Sequence, residues 1–138
     1  MITDALFVVM RWLHLSSMAT LVGGMLYGRL VMAPSEQALA PDARESFDSR
    51  AAATYRSLVV AAIAGLVVSG TFNLLTSPGH SPLYHALLGL KLLLALHVFA
   101  VALLITKPKN PRRTRMLTGT VISGLAIVAI SACLRRIW

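Results

Sequence analysis

Cysteine and acidic side chains are nearly missing from this chain. Cys133 is the only thiol, so no disulfide can close within one chain, and neither a CxxC zinc site nor a CxxCH haem attachment can be built. Five residues are acidic and only 13% of the 138 positions are charged, whereas soluble domains carry roughly 25%. Aromatics are sparse at 7% and do not interleave with the basic residues, so the net charge of +8 does not describe a nucleic-acid surface. Apolar length is what the chain has: 57% of positions are hydrophobic, in four stretches near the roughly 20 residues a helix needs to cross a bilayer. The expected fold is therefore all-α, an integral membrane bundle of four transmembrane helices over residues 1–138 as one domain, with membrane lipid as solvent and partner.

Breakers and caps place the helices at about 4–33, 53–75, 82–105 and 116–134. Pro34 stands just beyond the first. The mixed charges of Glu36, Asp42, Arg44, Glu45, Asp48 and Arg50 then read as a solvated loop, or one that holds a short surface helix. Ser81 followed by Pro82 offers an N-cap and a first-turn proline for the third helix. The first apolar stretch starts almost at Met1 with no basic segment before it and is too long for a signal-peptide core, so it is expected to remain as a helix. Lys107, Lys109, Arg112, Arg113 and Arg115 make the 3–4 connection basic, and the 1–2 connection is basic through Arg44 and Arg50, while the 2–3 turn has no Lys or Arg. Positive residues prefer the cytoplasm, so both termini are expected outside it, although Arg135 and Arg136 weigh the other way. Arg135, Arg136 and Trp138 read as an interfacial end.

Ionisable groups at mid-membrane depth are functional candidates by default, and here they are His14, Lys91 and His97. Arg11, Arg29 and His85 lie nearer the interfaces, where snorkelling makes them cheap. At about 100° per residue, Met10, His14, Met18, Met25 and Met32 fall within an arc of about 80°. Methionine fills irregular gaps in any bundle. The same face also suits a soft-ligand lane for Cu(I), or a polarisable wall against a large planar cofactor. Ser17, Gly24 and Gly28 beside it permit close approach of a backbone or a cofactor, and Gly24/Gly28 could form a homodimer face. Ala61, Gly65 and Ser69 lead to Asn73 at four-residue spacing, a pattern of ordinary helix packing. His85, Lys91 and His97 point about 120° apart and cannot serve one site from one helix. By depth, His14 and Lys91 lie within about 5 Å, whereas His97 lies roughly 13 Å deeper than His14.

Trp12-Leu13-His14 followed by Gly23-Gly24-Met25-Leu26-Tyr27-Gly28-Arg29-Leu30 resembles the first helix of the HemJ and CopD group of small membrane proteins. Arg56-Ser57-Leu58, Ser69-Gly70-Thr71-Phe72-Asn73-Leu74-Leu75 and the lysine-containing Leu88–His97 stretch extend the resemblance over most of the chain. It implies bound haem b and protoporphyrinogen IX oxidation for the HemJ branch, with His14 and Lys91 as the matching histidine and lysine, and copper uptake or resistance for the CopD branch. Val31-Met32-Ala33-Pro34 departs from the HemJ pattern, leaving haem binding as the shared chemistry.

The expected function is thus a haem b-binding protein in electron transfer or porphyrinogen oxidation, in a bacterial-type inner (plasma) membrane. His14 is the first iron ligand, and His97 or His85 the second. Arg11, Arg29 and Lys91 are the cations for propionates or a tetrapyrrole carboxylate, with Lys91 as the catalytic group. The alternatives are a copper-handling permease using His14, Met10, Met18 and Met25, and a non-catalytic accessory subunit of a larger membrane complex. Its partners would be a tetrapyrrole or electron carrier, with no nucleic acid.

Overall fold

The computed structural model describes residues 2–76 and 81–134. The expectations for the 2–3 turn at residues 77–80 and for the Arg135, Arg136 and Trp138 end lie outside the described residues. Four helices are long and apolar enough to cross a membrane: α1 (Thr3–Ala38), α2 (Pro41–Leu75), α3 (Pro82–Ile105) and α4 (Arg113–Leu134). The chain is an all-α, multi-pass membrane protein. Its outer faces carry large apolar side chains such as Trp12 (68% exposed) and Leu93 (67%), which water would penalise and acyl chains would not.

Short connections make successive helices antiparallel. Helix α1 packs mainly on α2, α3 packs mainly on α4, and the two pairs join through α2 on α3 and α4 on α1. A single core runs through all four, built from Leu21, Met25, Val59, Ala62, Val98, Ala102, Ile105 and Leu117. Helix α4 meets α1 within Ala19–Met32 rather than along the N-terminal stretch of α1.

Two boundaries differ from the sequence expectation. Helix α1 does not stop at Ala33 but passes through Pro34, continuing as a 3-10 turn over Glu36–Ala38. A proline inside a helix normally clashes with the carbonyl four residues back. Here that carbonyl belongs to Leu30, within a π-helical segment, Gly28–Met32, whose wider turn relieves the clash. Helix α2 begins at Pro41, not near Ala53, so the charged segment is helix rather than solvated loop. Pro41 suits a first helical position, and Asp42 suits the first turn. Helix α3 starts as expected: the Ser81 side chain accepts a hydrogen bond from the Tyr84 backbone N–H at 3.3 Å, and Pro82 follows.

A second π-helical segment, Ala19–Gly23, interrupts α1. In an α-helix, residues four apart drift by about 40° per step, so a four-residue row leaves a straight interface after a few turns. The wider π turns wind more slowly. Ser17, Leu21 and Met25 therefore stay on one line, and all three are buried. Tyr55 of α2 secures this segment, its one hydroxyl proton shared between the Thr20 carbonyl at 2.8 Å and the Leu21 carbonyl at 3.1 Å. The tyrosine lies directly against Gly24, where a Cβ would collide with its ring.

Candidate functional site around His14

His14 lies on the regular part of α1 and is half-buried against α2. Its Nδ1 is 2.9 Å from the hydroxyl of Ser69, a fully buried residue. Gly65, one turn earlier on α2, makes this contact possible, because a side chain there would run into Ser17 and Leu13 of α1. The small residues at 65 and 69 thus bring the two helices together, in keeping with the packing read from their spacing.

The tautomer of the ring follows from the serine. A hydroxyl has one proton to donate, and that of Ser69 goes to the Gly65 carbonyl at 2.6 Å. Toward His14 the Ser69 oxygen can only accept, so the imidazole proton sits on Nδ1. Nε2 is then the bare nitrogen, and His14 has no second hydrogen bond among the described residues. A neutral imidazole held at one nitrogen with the other lone pair open is the arrangement that metal-ligating histidines adopt.

Lys91 of α3 is half-buried, forms no ion pair among the described residues, and lies close enough for its charge to act on the His14 ring. Lys91 is therefore within electrostatic range of His14. Arg11 is exposed one turn before His14, within reach of the same region.

The remaining candidates disperse. His97 and His85 are exposed on the outside of α3, His85 with its ring edge-on to Tyr84 at 5.8 Å, so one chain does not bring either to His14 as a second ligand. Arg29 lies 15 positions beyond His14, about 22 Å along a helix axis, and its Nε donates to Thr118 Oγ1 at 2.7 Å, tying α1 to α4. It belongs to the other end of the bundle. The methionine face also divides. Met10 and Met18 flank His14 one turn to either side and are half-buried, but Met25 is enclosed in the core at 2% exposure, and Met32 lines a separate cavity. Within the chain Gly24 lies against Tyr55, and Gly28 faces Leu117. Among the described residues no three His, Cys, Asp or Glu side chains gather as a metal site.

Two groups that the sequence did not single out matter structurally. Arg113, only 8% exposed, donates to the Ile105 carbonyl at 2.9 Å, the Lys107 carbonyl at 2.7 Å and the Asp48 carbonyl at 3.1 Å, and pairs with the Asp48 carboxylate. In sequence it is one of five basic residues in a run, with nothing to set it apart. Tyr55 offered a faint signal, as a lone aromatic between Ala51 and Ala62 in a segment of small residues. Compared with family models, curated proteins and solved structures, the chain matches none of them.

Proposed function

We propose that the chain binds haem b through His14 and acts in electron transfer or porphyrinogen oxidation, as the resemblance to the HemJ and CopD group implies. One observation carries this reading: His14 Nδ1 lies 2.9 Å from a Ser69 hydroxyl that reaches the Gly65 carbonyl at 2.6 Å, and Nε2 has no partner among the described residues. His14 would hold the iron, with Lys91 and Arg11 as the cations for propionates or for the carboxylates of a tetrapyrrole substrate. Haem iron, when bound, supplies one-electron redox chemistry. The residues supply orientation: Ser69 holds the ring plane, and Lys91 holds a carboxylate within the bundle, where an uncompensated charge is costly.

A second reading rests on the same nitrogen. Met10 and Met18 lie one turn to either side of His14, and two thioethers with one imidazole suit Cu(I). A visible spectrum of the purified chain separates the two. A Soret band with a reducible α-band supports haem. Bound copper without a Soret band supports the copper site, and neither group at stoichiometric level overturns both in favour of an accessory subunit.

The reading also puts the end of the bundle that carries Arg44, Arg50, Lys107, Lys109, Arg112, Arg113 and Arg115 in the cytoplasm of a bacterial-type inner membrane, because positive residues prefer that side. In a Cys133→Ser background, Asn110→Cys should react with an impermeant maleimide only from the cytoplasmic side and Ser77→Cys only from the opposite side. The reverse pattern would invert the orientation.

A further inference from the structure

A cavity of about 650 Å³ lies at the end of the bundle that carries the 1–2 and 3–4 connections, well away from His14. This volume is within the range of small-molecule sites, about 300–1,000 Å³. It is lined by Gly24, Gly28, Ile105 and Leu117 and by the charged residues Glu36, Arg44, Asp48 and Arg113. Two of those charges are spent on each other, since Arg113 pairs with Asp48. The other two are not. Among the described residues the side chains of Glu36 and Arg44 make neither a hydrogen bond nor an ion pair, although the Arg44 charge acts on Glu36. The cavity thus presents one unpaired carboxylate and one unpaired guanidinium alongside apolar residues. Gly23 and Tyr27, which also line it, are exposed on α1, so the cavity reaches the outer surface of the bundle.

The geometry points to a binding site for a zwitterionic amphiphile, with its ammonium on Glu36, its anionic group on Arg44 and its tail over Gly24 and Gly28 toward the membrane. This inference is independent of the haem reading and uses none of its residues. Phosphatidylethanolamine has this chemistry: a phosphate that a guanidinium grips well, and a primary ammonium that donates hydrogen bonds to a carboxylate. Phosphatidylglycerol lacks the cation, and the quaternary nitrogen of phosphatidylcholine has no N–H to donate.

Native mass spectrometry of the full chain in detergent, titrated with each of the three lipids, tests the inference. Phosphatidylethanolamine should be retained about tenfold more strongly than the other two, the effect expected for one charge-assisted hydrogen-bonded pair. Glu36→Gln should bring phosphatidylethanolamine down to the level of phosphatidylglycerol. Arg44→Gln should weaken both by about tenfold. Gly28→Leu should abolish retention, because a Cβ at Gly28 meets only Leu117 at 3.8 Å and the larger side chain extends into the cavity. Competition by free phosphoethanolamine would identify a water-soluble zwitterion as the source, and failure to compete would assign the site to lipid. Equal retention of the three lipids with no response to Glu36→Gln or Arg44→Gln overturns the inference. So does lipid retention unchanged in a folded Gly28→Leu variant.

Discussion

Haem content should fall to near zero when His14 is replaced by alanine, while the protein still inserts and purifies as an all-helical bundle. The expectation rests on His14 being the one histidine of α1 or α3 that faces another helix, with His85 and His97 on the outside. Helix α1 loses little in apolar length from the change, since its span covers 36 residues. Ser69→Ala should act on the same absorbance more gently. Without its hydrogen-bond acceptor the ring is free to turn and to move its proton to Nε2, and loss of such an orienting partner typically costs about 10–100-fold in metal affinity. Lys91→Met should keep most of the Soret band and lower the turnover of a carboxylate-bearing substrate, because Lys91 neighbours the ring as a charge rather than as a ligand. Haem at wild-type stoichiometry with an unchanged spectrum in the His14→Ala protein would place the iron elsewhere and remove the basis of the proposed function.

Removing Arg113 should produce the largest loss of stability of any single substitution in the chain. Its guanidinium serves the Ile105 and Lys107 carbonyls at the end of α3, and the carbonyl and carboxylate of Asp48 on α2. Arg113→Ala would leave an unpaired carboxylate and three carbonyls short of a donor, at a cost of about 3–5 kcal/mol. In a chain of this size that corresponds to a fall in melting temperature of roughly 10–17 °C, measurable by circular dichroism in detergent. Arg113→Lys should recover part of it, since an ammonium can pair with Asp48 but cannot spread across the several carbonyls that the planar guanidinium reaches. A melting curve unchanged in Arg113→Ala would show that the connections hold without this cluster. The exposed Lys109–Glu45 pair, at 3.5 Å, is the useful control, because ion pairs open to solvent contribute about 0–1 kcal/mol.

Hydropathy and punctuation carry most of the fold. Apolar length showed the four spans, and Ser81-Pro82 marked the start of α3 to the residue. Charge was the misleading signal between Glu36 and Arg50, because exposed helix and solvated loop have the same composition, and only Pro41 at a first helical position distinguishes them. Pro34 misled for a different reason: its effect depends on the winding of the turn before it, which no local rule reads. Within the candidate site, His14 and Lys91 were found from their cost in lipid and their matching depth. Ser69 could be seen only as a small residue, because its role comes from the register of α1 on α2, set by Gly65. The cavity was illegible for a related reason. Its charges come from the end of α1, the start of α2 and the 3–4 connection, and which of them remain unpaired depends on Arg113 choosing Asp48.

The wide turns of α1 also set which changes in chain length the protein can absorb. Each holds a surplus residue relative to α winding, so a single deletion within Ala19–Gly23 can be taken up by tightening that segment to an ordinary helix, leaving the residues on either side in register. The same deletion between His14 and Ser17 has no slack to draw on. There it would turn everything before it by about 100°, swinging the imidazole off Ser69 with hardly any change in hydropathy. When this chain is aligned with another, a one-residue gap inside the π-helical segments is therefore compatible with a shared His14–Ser69 pair, and a gap a single turn earlier is not.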